Sequence, residues 1–204
     1  MLTLPLLRKM LNRAGTELKA NSKYLCELDS VAGDGDHGIT IGRMADVMKE
    51  KTEDTTIDTM RVLLDELGDA FMGINGGSAG PLWGTVFTGM AEGIDDQAEL
   101  TDLELRKMFT QAKEDFMDIS KAKPGDKTMV DALYPAIDAI IETQGSLKEI
   151  MTAAAAAADA GAEQTSTMVA RFGRAKNMGE RSIGTKDPGA VSIAILFNGM
   201  AHAL

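Results

Sequence analysis

An all-α fold, a bundle of about eight long antiparallel helices, is what this 204-residue sequence predicts. Apolar residues recur at the three-and-four spacing of a helix face, and the alternation of a half-buried strand is hard to find. Aromatic residues make up only 4% of the chain, which leaves little to build a sheet from. Glycine, proline and asparagine cluster at 33–38, 73–80, 123–126 and 173–189, and the connections have lengths normal for a bundle.

Taken in order, the periodic segments run near 4–20, 21–30, 39–52, 57–73, 79–94, 102–121, 127–144, 147–171 and 188–203. The first two lead into the glycine cluster at 33–38, and the third starts directly after it at Ile39. The fourth ends on the glycine-rich stretch from which the fifth begins. Thr101-Asp102-Leu103-Glu104 has the form of a capping box and opens the sixth. The seventh follows Pro124-Gly125. The eighth contains the run Ala153–Ala158, which lets two helices approach closely. Asp187-Pro188 places a capping carboxylate before a proline at the first helical position, a strong start for the last helix. Fourteen methionines at helical spacing read as core filling.

One domain over residues 1–204 is the simplest organisation, with no internal repeat and no linker. A formal charge of −10 and the lack of any basic run argue against nucleic-acid binding. They fit a protein that meets polyphosphates where a metal or a local arginine supplies positive charge. A lone cysteine, Cys26, excludes an intrachain disulfide and reads as a buried, inert thiol between Leu25 and Leu28. The first residues lack the order of a signal peptide. No apolar run approaches the ~20 residues of a membrane span. The expectation is a cytoplasmic protein with no membrane partner.

The chemistry concentrates in three loops, each beside a predicted helix start. Gly33-Asp34-Gly35-Asp36-His37-Gly38 follows Asp29 by a few residues. Carboxylates so crowded repel one another, and a divalent cation removes that repulsion. Magnesium suits hard oxygen donors of this kind, with phosphates and water completing its shell. A calcium loop or a solvated acidic turn is the alternative, but the glutamate of an EF-hand is absent. The second loop, Asn75-Gly76-Gly77-Ser78-Ala79-Gly80, leaves backbone amides uncovered before a helix. It lacks the lysine and spacing of a Walker A loop, and a plain helix–helix turn is an equal reading. The third, Arg171 to Gly189, is the longest irregular stretch and carries five basic residues, as a lid or purine-enclosing loop would, with a surface loop of solvated charges an equal reading. His37 is placed for metal or phosphate contact, whereas His202, three residues from the end, reads as incidental. No residue is assigned as a covalent or acid–base catalyst.

In order and spacing, four motifs resemble the nucleotide-binding L subunit of bacterial dihydroxyacetone kinases. They are Gly33-Asp-Gly-Asp-His-Gly38, Gly76-Gly-Ser-Ala-Gly-Pro-Leu82, Pro124-Gly-Asp-Lys-Thr-Met129, and Gly179-Glu-Arg-Ser-Ile-Gly184 with Asp187-Pro-Gly189. The resemblance implies a barrel of eight antiparallel helices with the nucleotide at one end. It implies two magnesium ions held by Asp29, Asp34 and Asp36 and bridging the phosphates of ADP or ATP. It places nucleotide contacts on His37, Gly38, Ile39, Thr40, Ser78, Ala79, Met129, Arg174, Asp187, Pro188 and Gly189. A sugar-binding K-type partner subunit would hold dihydroxyacetone on a histidine, and an M-type phosphocarrier of the phosphoenolpyruvate-dependent system would recharge bound ADP. The alternatives are an ATP-dependent kinase subunit for another short keto-sugar and a nucleotide-loaded regulatory module. The chain departs from the family at Thr40 and Thr185, and Ser120–Pro124 is shorter than usual, so no ligand residue is carried onto it.

Overall fold

A computed structural model describes residues 1–204 and places nine α-helices in the chain. They are α1 (Leu4–Ala20), α2 (Ser22–Asp29), α3 (His37–Glu53), α4 (Met60–Met72), α5 (Ala79–Glu92), α6 (Asp102–Ile119), α7 (Val130–Glu142), α8 (Leu147–Gln164) and α9 (Pro188–His202). Eight of them form a closed ring. Each packs on the next, in the order α1, α3, α4, α5, α6, α7, α8, α9, and α9 returns to α1. The short α2 sits across one end, against α3 and α9. The only sheet is one antiparallel rung, Leu2–Thr3 (β1) against Glu99–Leu100 (β2), which the sequence does not announce.

The ring encloses a single apolar cluster of 53 buried residues, so one core serves all the helices. Phe71 anchors it, edge-on to Phe87 at 5.0 Å and to Trp83 at 6.3 Å between ring centroids. Nine of the fourteen methionines are buried, consistent with gap filling. Small residues let neighbouring backbones touch: a Cβ on Gly199 of α9 would stand 3.0 Å from the Ala14 amide nitrogen of α1. In the alanine run, Ala154, Ala155 and Ala158 are buried where α8 meets α7 and α9.

Several predicted boundaries shift. The eighth helix stops at Gln164 rather than 171, and a 3-10 turn, Thr165–Thr167, follows. The Thr165 hydroxyl turns back onto the Ala162 carbonyl (2.6 Å), a bond that competes with helix continuation. The stretch expected to be irregular contains a 3-10 segment, Arg174–Ser182, broken at Gly179 with φ 56°. Cys26 is half-buried rather than buried, because α2 lies at the rim of the ring. His202 is not isolated: its Nδ1 lies 2.9 Å from Glu17 Oε1, joining the end of α9 to α1. No helix is long and apolar enough to cross a membrane.

Candidate functional site

Alternation around the ring gathers the N-termini of α3, α5, α7 and α9 at one end and those of α1, α4, α6 and α8 at the other. The two ends are treated differently by the sequence. Thr3, Thr59, Thr101 and Ser146 each turn a hydroxyl onto the helix they precede, and Thr101 and Ser146 complete capping boxes with Glu104 and Glu149. At the opposite end Asp36, Ser78 and Met129 precede α3, α5 and α7 without any side-chain cap. Only α9 is capped there, by Asp187 Oδ2 accepting from the Ala190 amide at 2.7 Å. Two first-turn amides there do have side-chain partners, His37 N on Asp29 Oδ2 at 3.4 Å and Val130 N on Thr128 Oγ1 at 3.2 Å, whereas α5 has none, and the helix dipoles all point the same way, which suits an anion.

These starts surround a cavity of about 560 Å³, of the size that takes a nucleotide-scale ligand. Its apolar lining comes from Leu82, Trp83, Phe116, Ile119, Met129 and Val130. Its polar lining includes Asp29, Asp36, His37, Ser78, Arg174 and Asp187. At its mouth the carboxylates of Asp29, Asp34 and Asp36 offer ligand atoms all within 4.8 Å of one another. Asp29 belongs to the last turn of α2, and its Oδ2 accepts from the Asp36 amide at 3.1 Å, so the loop is folded back over it. Gly33 is required for that fold, since a Cβ there would lie 2.8 Å from the Asp29 carboxyl carbon. Three hard oxygen donors, two of them well exposed, fit a divalent oxygen-preferring ion. Arg174 currently ion-pairs with Asp34, a second mark of unbalanced negative charge at this spot.

Burial pushes the His37 imidazole below its ordinary value, against the opposing pull of the Asp29 carboxylate and a bond to the Pro188 backbone. Its Nε2 lies 3.2 Å from Ser192 Oγ, so the ring is lodged between α3 and α9. Part of Asp187 reaches the surface, yet its carboxyl group lies deep among protein atoms. Burial and the neighbouring Asp131 push it up to about 7, opposed by the Ala190 and Gly189 amides and by Lys127.

Of the residues singled out in the sequence, Asp29, Asp36, His37, Ser78, Ala79, Met129, Arg174, Asp187, Pro188 and Gly189 line the cavity. Asp34 stands at its edge, in the carboxylate trio. Gly38, Ile39 and Thr40 are not brought in. Gly38 packs on α2, Ile39 is 54% exposed, and Thr40 is buried against Gly76. Sequence reasoning passed over Phe116, Ile119, Ser120, Lys121 and Ala122, which form one side of the cavity. It also passed over Lys127, though the motif around it was noted.

The ring of helices is the fold of the helical part of dihydroxyacetone kinases. The dihydroxyacetone kinase from C. freundii, solved in complex with AMP-PNP and Mg2+, matches with a TM-score of 0.73 at 27% identity, over 98% of this chain and 34% of that one. A family model described as the DAK2 domain matches residues 31–202, and the chain belongs to that family. The ADP-binding subunit DhaL of the PEP-dependent dihydroxyacetone kinase of Escherichia coli (strain K12) is 35% identical over 196 residues, covering 95% of this chain and 93% of that one. The L-erythrulose kinase of Pectobacterium atrosepticum is 36% identical over 201 residues, but this chain spans only 34% of its length.

Proposed function

We propose that this chain is the ADP/ATP-binding subunit of a dihydroxyacetone kinase, which delivers a phosphoryl group to dihydroxyacetone held on a separate subunit. The observation that supports it most is the meeting of the starts of α3, α5 and α7, whose N-cap side chains make no cap bond, with the Asp29–Asp34–Asp36 cluster at one cavity. The apolar lining of Trp83, Phe116 and Met129 fits a purine, and the polar lining with its open amides fits the phosphates. Asp29, Asp34 and Asp36 would hold two magnesium ions. Bound there, the metal neutralises phosphate charge and supplies electrostatic stabilisation to phosphoryl transfer.

The chain's own residues position and orient. The amides at the starts of α3 and α5 donate to phosphate oxygens, Arg174 leaves Asp34 for the phosphates, and Asp187 through Gly189 close over the nucleotide. Phosphoryl transfer needs placement and charge balance more than a covalent participant. A K-type subunit presents the keto-sugar and an M-type phosphocarrier returns ADP to ATP.

Native mass spectrometry of the purified protein, before and after EDTA, tests this reading. The expected result is a mass increment of ADP plus two magnesium ions that chelation removes. A protein that takes up Mg-ATP only reversibly favours an exchanging, ATP-dependent kinase subunit. A protein that binds no nucleotide overturns the proposal.

A further inference from the structure

Lys127 is an anomaly on three counts. It is the one non-glycine residue with positive φ, 59°, a conformation disfavoured for side chains that crowd the following carbonyl. It is also a lysine only 4% exposed. Burying an ammonium group costs several kcal/mol unless its protons find acceptors. Here they do. Nζ donates to the Thr165 carbonyl at 2.7 Å and to the Thr185 carbonyl, while the Asp187 carboxyl group supplies the nearby opposing charge.

Those two carbonyls have a specific place in the chain. Thr165 directly follows α8, and Thr185 precedes α9 by three residues. Everything between them is one excursion, and a single ammonium grips both of its feet. Lesser ties repeat the closure: the Gly184 amide meets the Ser166 carbonyl at 2.7 Å, and the Ala170 amide meets Ser182 Oγ at 2.9 Å. Asp187 N donates to Thr165 Oγ1 at 2.9 Å. Beyond the base the excursion is tied at Arg171, whose amide donates to the Asp126 carbonyl at 3.1 Å, and at Arg174, which pairs with Asp34, while a Cβ on Gly173, Gly179 or Gly184 would meet nothing within 4 Å. Yet this same excursion carries Phe172, Arg174 and Ala175 to the cavity.

We propose that Lys127 is a positioning residue, an ionic clasp that holds both feet of the 166–184 excursion together and so sets where Arg174 and Phe172 stand over the nucleotide. This rests on the reading of the cavity given above. Lys127 touches neither phosphate nor metal in this role. It acts through the loop.

Lys127→Met keeps the long stem and removes the donors, and Lys127→Arg keeps the charge. Both are compared with wild type in the full chain by far-UV circular dichroism, by trypsin cleavage under native conditions after Arg171, Arg174, Lys176 and Arg181, and by the ADP dissociation rate in magnesium. Lys127→Met is expected to keep its helical spectrum, to be cut in the excursion at least ~10-fold faster, and to lose ADP at least ~10-fold faster, with Lys127→Arg restoring part of both. Magnesium binding without nucleotide is expected to stay unchanged. Equal loop cleavage in Lys127→Met and wild type overturns the clasp. If Lys127→Met does not fold, hydrogen exchange on wild type decides instead. The Gly184 and Ala170 amides should be protected like the last turn of α8, and free exchange there overturns the proposal. Failure of wild type to bind ADP would sink the nucleotide reading alone, because loop cleavage and exchange still report on the clasp.

Discussion

The two ends of this ring are built from the same four-helix count of N-termini and put them to opposite uses. At the far end, Thr3, Thr59, Thr101 and Ser146 spend their hydroxyls on the helices behind them. A second cavity of about 570 Å³ lies toward that end, among Arg8, Asn12, Thr52 and His202, about as large as the first. Apart from Lys9, its polar side chains are already engaged. Arg8 donates to the carbonyls of Thr52, Asp54 and Ile57 at 2.6–2.7 Å and so closes the end of α3, and Asn12 bonds Thr52 at 3.3 Å. At the near end, Asp36 and Ser78 leave their helices uncapped. Volume does not separate a site from a groove here. Unspent hydrogen-bonding capacity does.

The contrast can be broken first at the carboxylates. Asp34→Asn or Asp36→Asn should lower Mg-ADP affinity ~100-fold, about 3 kcal/mol for a lost charged contact, and lower magnesium binding with it. Calorimetry that found metal weakened but nucleotide unchanged would rule out a metal bridge. Arg174→Ala should weaken ADP by ~10-fold or more with circular dichroism unchanged. Global unfolding of that variant would instead make Arg174 a structural counter-charge to Asp34. At the far end, Thr101→Ala and Ser146→Ala should each cost about 1 kcal/mol of stability, read as a lower Tm, and leave ADP affinity alone. A loss of ADP affinity from either would erase the distinction between the ends.

The smallest effect is a pH dependence. Asp187 is raised from 3.8 to about 7 in the folded protein, so between those values the unfolded chain releases a proton that the folded chain retains. Wild type should therefore lose stability as pH rises through this window, relative to Asp187→Asn, which has no proton to lose. The Tm difference between them should be near its minimum at pH 4 and widest above pH 7. A difference that stays flat from pH 4 to 8 would show that Lys127 and the capped amides balance the carboxylate in full.

Much of this was legible in the residues. Asp34 and Asp36 share one short loop a few residues after Asp29, so the three carboxylates could be grouped without coordinates. Asp187-Pro188 specified its helix start locally, and α9 begins where it says. What was not legible depends on direction and distance. Successive residues in a helix turn by about 100°, which swings Gly38, Ile39 and Thr40 away from the cavity that Asp36 and His37 face. Phe116 and Ile119 look like core at the end of any amphipathic helix, and only the ring turns them toward a ligand. Lys127 has no local signature, because its acceptors lie 38 and 58 residues further along the chain.

Pro135, inside α7, has no N–H to give back to the carbonyl of Asp131 one turn earlier. Gly161 of α8 rests on that bare carbonyl, where a Cβ would stand 2.8 Å from the Asp131 carbonyl carbon. The fit couples two helices through a missing donor and a missing side chain. It also works as a lever. Gly161 lies about one turn before Thr165, so a methyl group added there must lift the end of α8 and carry one foot of the loop with it. If the clasp holds as proposed, nucleotide retention would depend on Gly161, which does not line the cavity.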